Sequence, residues 1–281
     1  MTRTFNFTVE DPESVPLRDA ATVMLVRDGR SGVEVFMLRR NLNSDFVGGA
    51  YVFPGGAVDD EDGSPEIEPL SAGLTDAQAS ALLEVERGGL AYWVAAIRES
   101  FEEAGLLLAL DEHDSIVRFE DATVIERFAR HRIDVDTSAR PLRDIIRDER
   151  LRLATAEIHY FSRWITPLGS PRRYDTRFFV AHAPEAQVAT HDDRETIANV
   201  WIRPHEALER FEAGEFELIF PTVRSLEALA RFTSAEAVVA HAQSIPEFPA
   251  VLPRVLEEDG GVRIVLPGDE VYDAFTAKRL R

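Results

Sequence analysis

Cysteine is absent from the 281-residue sequence. This absence excludes disulfide bonds, a thiolate metal site and a cysteine nucleophile, and it leaves the redox compartment unspecified. Long apolar runs are also lacking. No stretch approaches the roughly 18 apolar residues that span a bilayer, and the N-terminus contains no run of signal-peptide length. We therefore expect a cytoplasmic protein without membrane segments.

Positive charge is scarce. The chain has 31 Lys and Arg against 50 Asp and Glu, a formal net charge of −19. A protein that binds nucleic acid normally presents a basic face, so we expect no nucleic-acid partner. An anionic small molecule is not excluded, because a bound metal and a few arginines set the local field inside a cleft. The G-x-S-x-G, phosphate-loop and H-E-x-x-H motifs are absent, and the seven histidines are scattered.

The most informative stretch is residues 98–105, which read Arg-Glu-Ser-Phe-Glu-Glu-Ala-Gly. On a helix, at about 100° per residue, Glu99, Glu102 and Glu103 fall within roughly 100° of arc. Like charges at these spacings repel, so the stretch is slightly unfavourable as a bare helix. A divalent cation would turn this cost into a gain, because Mg²⁺ and Mn²⁺ prefer clustered carboxylate oxygens. Arg98 lies four residues before Glu102 and can pair with it.

The opposite face of this segment is apolar. The residues at helical spacing are Leu90, Trp93, Val94, Ile97, Phe101 and Ala104. The stripe predicts a helix from about residue 90 to residue 104 that packs on a core and ends at a left-handed Gly105. A glutamate-rich helix in an acidic protein is more often a solvated face than a metal site. The three carboxylates alone therefore do not decide between these two interpretations.

Residues 98–106 resemble the second half of a Nudix box. The signature of that family is a glycine, five residues, a glutamate, seven residues, and then Arg-Glu-apolar-x-Glu-Glu-x-Gly-apolar. This half is matched except at Ser100, where an apolar residue is usual. Upstream, residues 51–56 (Tyr-Val-Phe-Pro-Gly-Gly) resemble the strand and glycine loop that open the box. The resemblance implies a Nudix-type α/β/α sandwich with a mixed sheet.

The two halves of the box are separated. Between Gly56 and Arg98 lie 41 residues, which predicts an insertion of about 28 residues relative to the plain signature. A polar turn over residues 59–65 and an N-capped helix start at Thr75 fit such an insertion.

The first glutamate of the box is not recognised in the sequence. Counted back from Arg98, the signature glycine and glutamate fall on Glu84 and Leu90, and neither matches. Asp59 or Asp60 could replace the missing glutamate.

A long insertion at this point resembles a branch of the family that includes the peroxisomal coenzyme A diphosphatases. Residues 46–50, 163–167 and 172–179 also resemble that branch. The likeness covers roughly residues 18–235.

The resemblance implies a hydrolase that uses Mg²⁺ or Mn²⁺. The metal ligands would be Glu99, Glu102, Glu103 and the backbone carbonyl of Gly56, and Glu99, Glu103 and Arg98 would take part in catalysis. In this family a general base often comes from a later loop. Our candidate is Glu195, within residues 191–196; the alternatives are Glu99 as the base and Glu195 as an ordinary surface carboxylate.

Arginines provide the candidates for phosphate binding. Arg172, Arg173 and Arg177 form the densest positive cluster in the chain, although it could instead be solvated turn charge paired with Asp175. The predicted substrate-binding residues are Arg39, Arg173, Arg177 and Tyr174.

Two of these choices depend on strand geometry. Arg39 and Arg40 end a strand near the glycine loop, and because side chains alternate only one of them can face a cleft; we select Arg39. Tyr174 could stack on an adenine, although an aromatic residue at strand spacing is more often part of the core.

The alternation of strands and helices predicts an α/β protein in three layers. Strands are expected over residues 20–26, 33–39, 51–53, 106–110, 158–165, 177–183 and 199–202. Residues 115–153 are expected to be helical, with Ile125 and Ile133 on apolar faces. We divide the chain into a domain over residues 1–244, with helical insertions at about 60–88 and 115–153, and a C-terminal extension over residues 245–281.

The implied reaction is hydrolysis of a pyrophosphate linkage in a nucleoside diphosphate joined to another group. Coenzyme A or an acyl-CoA is the leading substrate, and NADH, ADP-ribose and other dinucleotides are the alternatives. A binding module that senses a nucleotide without cleaving it is a hypothesis of another class. Homodimerisation is common in the family and is expected here.

Overall fold

A computed structural model describes residues 11, 13–42, 48–192, 194–258 and 261–272 of the chain. The strands are β1 (Leu17–Gly29), β2 (Gly32–Arg40), β3 (Tyr51–Val52), β4 (Gly55–Ala57), β5 (Ala109–Leu110), β6 (Arg152–Leu153), β7 (Ile158–Ile165), β8 (Arg173–His182), β9 (Thr196–Ile202), β10 (Ala250–Val251), β11 (Arg254–Glu258) and β12 (Gly261–Val265). The helices are α1 (Asp76–Leu83), α2 (Leu90–Ala104), α3 (Ala122–Asp136), α4 (Leu142–Asp148), α5 (Pro204–Glu212), α6 (Phe220–Leu229) and α7 (Ala235–Ser244). The predicted α/β class is confirmed.

The main sheet is mixed and has β1 near its centre. Its order is β10-β7-β8-β1-β2-β3, with β4 also pairing with β1 and β9 with β2. β1 and β8 are parallel, from Leu17 opposite Arg173 to Val26 opposite His182, whereas β1 and β2 are antiparallel. β8 lies between β7 and β1, as its apolar sequence requires, because a strand buried on both faces carries few polar residues.

Helices cover both faces of this sheet. On one face, Trp93 and Phe101 of α2 pack in a core with Val23 and Phe179. On the other face, Leu226 of α6 and other apolar residues of α5 to α7 form a second core. The predicted α/β/α layering is therefore confirmed.

The two helical insertions differ in how well the sequence predicts them. α1 begins after Thr75, which accepts a hydrogen bond from the backbone N–H of Gln78 in the expected capping box. α3 and α4 lie within the stretch predicted to be helical, but Ile125 and Ile133 are 49% and 60% exposed. The expectation that they lie on buried faces is wrong, because α3 covers the core with only a narrow stripe.

Several predictions fall partly outside the described residues. Phe46 and Val47 of the stretch before the glycine loop lie there, as do residues 259–260 and 273–281 of the predicted extension. β10 adds to the edge of the main sheet beside β7. The boundary at residue 244 stays a prediction. In the part of the chain that the structure describes, no helix combines the length and apolar character needed to cross a membrane.

Candidate active site

The acidic run lies on the last turns of α2, held against the core. The helix spans Leu90–Ala104 as predicted, and Gly105 ends it with φ of 69°. The indole Nε1 of Trp93 donates a hydrogen bond of 2.9 Å to the carbonyl of Ile158 in β7. Glu99 and Glu103 are only 8% and 5% exposed. The interpretation of the run as a solvated face is therefore wrong.

Ser100, the one departure from the second half of the signature, has a local explanation. Its side chain is fully buried. The hydroxyl donates a hydrogen bond of 2.8 Å to the carbonyl of Leu106, just beyond the end of α2. A buried hydroxyl with a partner carries little penalty, so serine can occupy this position.

Arg98 is fixed by a residue that the sequence did not single out. Asp62 lies in the 3-10 helix Asp60–Gly63, which follows the glycine loop. The guanidinium of Arg98 donates hydrogen bonds of 3.0 Å from Nε to Asp62 Oδ1 and from Nη2 to Asp62 Oδ2. Asp59 is 3.7 Å from Arg98 and its side chain is 61% exposed. Asp60 is exposed as well. Asp62, rather than Asp59 or Asp60, is therefore the carboxylate that pairs closely with Arg98.

A different count of the sequence would have found Asp62. Counted forward from Gly56, five residues lead to Asp62, which is the glutamate position of the signature. The first half of the box is thus intact, with aspartate for glutamate, and the insertion lies between Asp62 and Arg98. Counting back from Arg98 assumes that the insertion lies before the glutamate position of the signature, whereas it lies after that position.

The same guanidinium also reaches the acidic run and the glycine loop. Arg98 Nη1 donates hydrogen bonds of 2.7 Å to Glu99 and 3.2 Å to Glu102. Its Nη2 donates to the carbonyl of Ala57 at 2.8 Å. A single buried cation therefore joins the two halves of the box across the insertion.

The glycine loop packs directly on the carboxylates. β4 pairs with β1, with Gly56 opposite Ala21. The backbone N–H of Gly55 donates a hydrogen bond of 2.9 Å to Glu103 Oε2. A Cβ atom on Gly56 would lie 2.3 Å from Glu99 Oε1. Only glycine leaves room for the Glu99 carboxylate at this position.

Burial and mutual repulsion raise the pKa of every carboxyl in the run. Desolvation is the largest cause, and it raises the pKa of Glu102 to about 8 even though Arg98 opposes it. The pKa values of Glu99 and Glu103 are raised by burial and by neighbouring carboxylates. The protein partners of these carboxyls thus do not fully compensate the cost of ionising them in this buried place.

Glu195, the predicted general base, lies on the loop that approaches this cluster. Its negative charge contributes to the raised pKa values of Glu99 and Glu103. The loop is held by Asn41 at the end of β2, whose backbone N–H donates a hydrogen bond of 2.8 Å to the Glu195 carbonyl. The Glu195 side chain is exposed, so water can reach it.

The donor chemistry of the cluster fits a hard divalent cation. Glu99, Glu102 and Glu103 offer oxygen ligands, and their pKa values are raised even though Arg98 or Arg40 opposes the rise. Within the described residues, no group of three His, Asp or Glu side chains converges in a metal-binding arrangement. Glu99 is hydrogen-bonded to Arg98, and Glu103 to Gly55, in this conformation. The residues fit the ion, and binding it would require these carboxylates to turn.

The arginines predicted to bind substrate do not form one cluster. Arg177 is 2% exposed and contacts Asp175 Oδ1 at 2.7 Å. Its guanidinium lies over the ring of Tyr92 at the start of α2, 4.7 Å from the ring centroid. Arg177 is thus a buried structural cation here. Arg173 lies four residues before Arg177, on the same face of β8, and its Nε donates a hydrogen bond of 3.3 Å to the carbonyl of Thr166.

Arg39 and Tyr174 lie on the other face of the sheet from α2. Arg39 sits over the ring of Tyr51, 5.9 Å from its centroid, beside the second core. Arg40 is the arginine whose charge lowers the pKa of Glu103. The two arginines lie on opposite faces, as the alternation predicts, and Arg40 rather than Arg39 is on the face of the acidic cluster. The assignment of Arg39 to substrate binding stays a prediction. A register shift between Arg39 and Arg40 in the pairing with β9 is not visible in the sequence.

Comparisons with known proteins identify the family of the chain. A family model described as the NUDT19 Nudix domain matches residues 75–229. The chain is similar to proteins named acyl-coenzyme A diphosphatase NUDT19 from Xenopus laevis (26% identical, covering 88% of this chain and 73% of that protein) and Homo sapiens (27% identical, covering 86% and 72%).

One solved structure shares the fold over most of its length. The crystal structure of a NUDIX hydrolase from Alicyclobacillus acidocaldarius superposes with a TM-score of 0.65 at 26% identity, covering 81% of this chain and 97% of that chain. The split box, its closure by Asp62 and Arg98, and these similarities lead to one assignment. The chain belongs to the NUDT19 Nudix domain family and is a Nudix hydrolase.

Proposed function

We propose that this protein is a metal-dependent diphosphatase that cleaves coenzyme A or an acyl-CoA into 3′,5′-ADP and 4′-phosphopantetheine or its acyl form. The observation that carries the proposal is the carboxylate cluster against the glycine loop, in which Glu99 and Glu103 are buried and Glu102 is partly buried. The names of the relatives favour the coenzyme A substrate.

The reaction adds water across a P–O–P linkage. The water oxygen forms a bond to one phosphorus, the bridging P–O bond breaks, and both products leave as phosphate monoesters with release of a proton. A divalent cation bound by the carboxylates and the Gly56 carbonyl would neutralise phosphoryl oxygens and lower the pKa of a bound water.

The side chains of this protein would orient and deprotonate the reactants. Arg98 holds Glu99 and Glu102 in place through the hydrogen bonds described above. Glu195 would accept the proton of the attacking water, because its carboxylate is exposed and close enough to affect Glu99 and Glu103 electrostatically. Arg40 would balance part of the charge around Glu103.

Two alternatives remain distinguishable by experiment. One is hydrolysis of NADH, ADP-ribose or a dinucleotide by the same groups. The other is a nucleotide sensor without turnover. The intact triad disfavours the sensor, since a protein that only binds nucleotide has no need to bury three repelling carboxylates.

The first test is a substrate panel with Mg²⁺ or Mn²⁺: coenzyme A, acetyl-CoA, NADH, ADP-ribose and diadenosine polyphosphates, with products separated by chromatography. Release of 3′,5′-ADP from coenzyme A, abolished by EDTA, is the expected result. Cleavage of NADH or ADP-ribose alone would remove the coenzyme A assignment and keep the reaction type. Nucleotide binding without any cleavage would support the sensor.

The matched variant is Glu103→Gln. It keeps the size of the side chain and an acceptor for the Gly55 N–H, so we expect a folded protein whose kcat falls by about 10²-fold or more. Glu126→Gln, an exposed position on α3, is the control and should keep wild-type kcat. Equal activity of both variants would contradict the role of Glu103.

A further inference from the structure

Arg132 connects α3 to the end of α2 that carries the acidic run. Its Nε donates a hydrogen bond of 2.8 Å to the carbonyl of Glu102, and its Nη2 donates one of 2.9 Å to the carbonyl of Glu103. The last carbonyls of a helix have no partners within the helix and need donors from elsewhere. Arg132 supplies them at the two residues whose side chains belong to the carboxylate cluster.

The same guanidinium holds the segment that leads to Glu195. Its Nη1 donates to Thr190 Oγ1 at 3.0 Å, and its Nη2 donates to the Thr190 carbonyl at 2.9 Å. The backbone N–H of Thr190 in turn donates to the carbonyl of Ala104 at 2.9 Å. The final carbonyls of α2, from Glu102 to Ala104, are therefore all satisfied by Arg132 and the Thr190 segment.

A second contact from α3 reaches the same loop. Asp136, at the end of α3, forms an ion pair with Arg194, the neighbour of Glu195. Asp192 Oδ1 accepts hydrogen bonds of 2.9 Å from the backbone N–H groups of Arg194 and Thr196, which fixes the local backbone. α3 thus contacts the loop at both ends of the stretch from Thr190 to Arg194.

We infer that Arg132 is a positioning residue, which clamps the Thr190–Glu195 loop to the carboxyl end of α2 and so sets the place of Glu195 relative to Glu99 and Glu103. The catalytic part of this inference rests on the proposed function. The clamp itself does not, because it follows from the hydrogen bonds of Arg132 alone.

Lysine cannot replace Arg132 in this role. A guanidinium presents several donors in a fixed planar fork, whereas an ammonium is a point charge on a flexible chain. Arg132→Lys therefore keeps the charge near the helix end and loses the simultaneous contacts with α2 and Thr190. The control is Arg130→Lys, on an exposed position of the same helix.

Steady-state kinetics test the catalytic part. We expect Arg132→Lys to lower kcat by about 10- to 100-fold with KM changed less than about threefold, because a small displacement of a catalytic group affects the transition state more than binding. In a Glu195→Gln background the same change should have little further effect, since the group being positioned is already removed. An unchanged kcat, or an equal loss in both backgrounds, would overturn the proposal. Full activity of Glu195→Gln alone would overturn it as well.

Hydrogen exchange measured by mass spectrometry tests the clamp without any substrate. In Arg132→Lys, amides of the peptide covering residues 186–196 should exchange at least about tenfold faster, with α2 and the core strands unchanged and Arg130→Lys like the wild type. Unaltered exchange in this peptide would refute the clamp, even if the protein hydrolyses nothing in the panel.

If wild-type protein lacks hydrolase activity but the loop is released in Arg132→Lys, the proposed function fails and the clamp stands. Should Arg132→Lys lose its fold, Asp136→Asn provides a second variant, for which the same release is expected around Arg194.

Discussion

Arg98 organises the carboxylate cluster because acidic groups surround its guanidinium from two sides. Asp62 lies on one side, and Glu99 and Glu102 lie on the other. Burial raises the pKa of Asp62 despite this pairing, whereas the surrounding acids raise the pKa of Arg98 despite its burial. The two parallel hydrogen bonds of 3.0 Å from Nε and Nη2 to the Asp62 carboxylate favour an ionised pair, with Arg98 charged.

Removing Asp62 should release Arg98. In Asp62→Asn the buried guanidinium keeps only part of its compensation, so the free energy of unfolding should fall by about 3 kcal/mol. The freed arginine would also pull on Glu99, and kcat should fall with stability. Urea unfolding and steady-state kinetics measure the two effects.

Asp59→Asn is the control for this change, because Asp59 is exposed and lies farther from Arg98. Its unfolding free energy should stay within about 0.5 kcal/mol of the wild-type value. Similar losses in the two variants would show that Asp62 is not the partner that fixes Arg98.

At the scale of secondary structure, both insertions attach to the ends of α2. α2 has no side-chain cap of its own at Gly89. Asp76, in the first turn of α1, accepts hydrogen bonds of 3.0 Å from the backbone N–H groups of Gly88 and Leu90. Arg132 of α3 satisfies carbonyls at the other end. The insertions therefore supply the terminal partners that the box helix itself lacks.

Asp76→Ala should remove the cap at the start of α2. The loss of an acceptor for two N–H groups at a helix end predicts a decrease of about 1 kcal/mol in the free energy of unfolding. Thermal and urea unfolding measure it, with Asp60→Ala, an exposed aspartate, for comparison. A wild-type midpoint for Asp76→Ala would mean that water caps α2 equally well.

The sequence predicted some elements better than others for physical reasons. α2 was predicted with its observed bounds because apolar periodicity, acidic face and terminal glycine all agree. The exposure of Ile125 and Ile133 could not be predicted, because periodicity shows which residues share a face and not what covers it. Arg132 gave no signal, since its partners are backbone carbonyls distant in sequence.

At the scale of the whole molecule, the excess of acidic groups makes stability depend on how each buried carboxylate is paired. Asp175 in β8 accepts hydrogen bonds of 2.9 and 2.6 Å from Arg163 in β7. Burial alone would raise the pKa of Asp175, but Arg163 and Arg177 outweigh it and hold this pKa below its usual value. The folded state therefore favours the ionised carboxylate of Asp175 over the protonated form.

This shift fixes the pH range in which Asp175 stabilises the fold. A carboxyl with a lowered folded-state pKa contributes fully above the ordinary value of about 4 and loses its contribution as the pH falls through the lower value. Asp175→Asn should cost about 3 kcal/mol at neutral pH, and the difference from wild type should shrink on acidification below about pH 4. Urea unfolding over this range measures it, with the exposed Asp19→Asn as comparison. A difference that stays constant with pH would contradict the ionic role of Asp175.

The parallel pairing of β1 with β8 has a consequence for the order of events during synthesis. β1 is made before α2. Its partner β8 follows both insertions, and with it the ring of Phe179, which lies 4.7 Å from the ring of Trp93. Until then the apolar face of α2 can pack on β1 and β2 but not on β8. Pairing between strands so distant in sequence closes slowly, so the nascent chain should expose part of the apolar face of α2 to chaperones until β8 has been made.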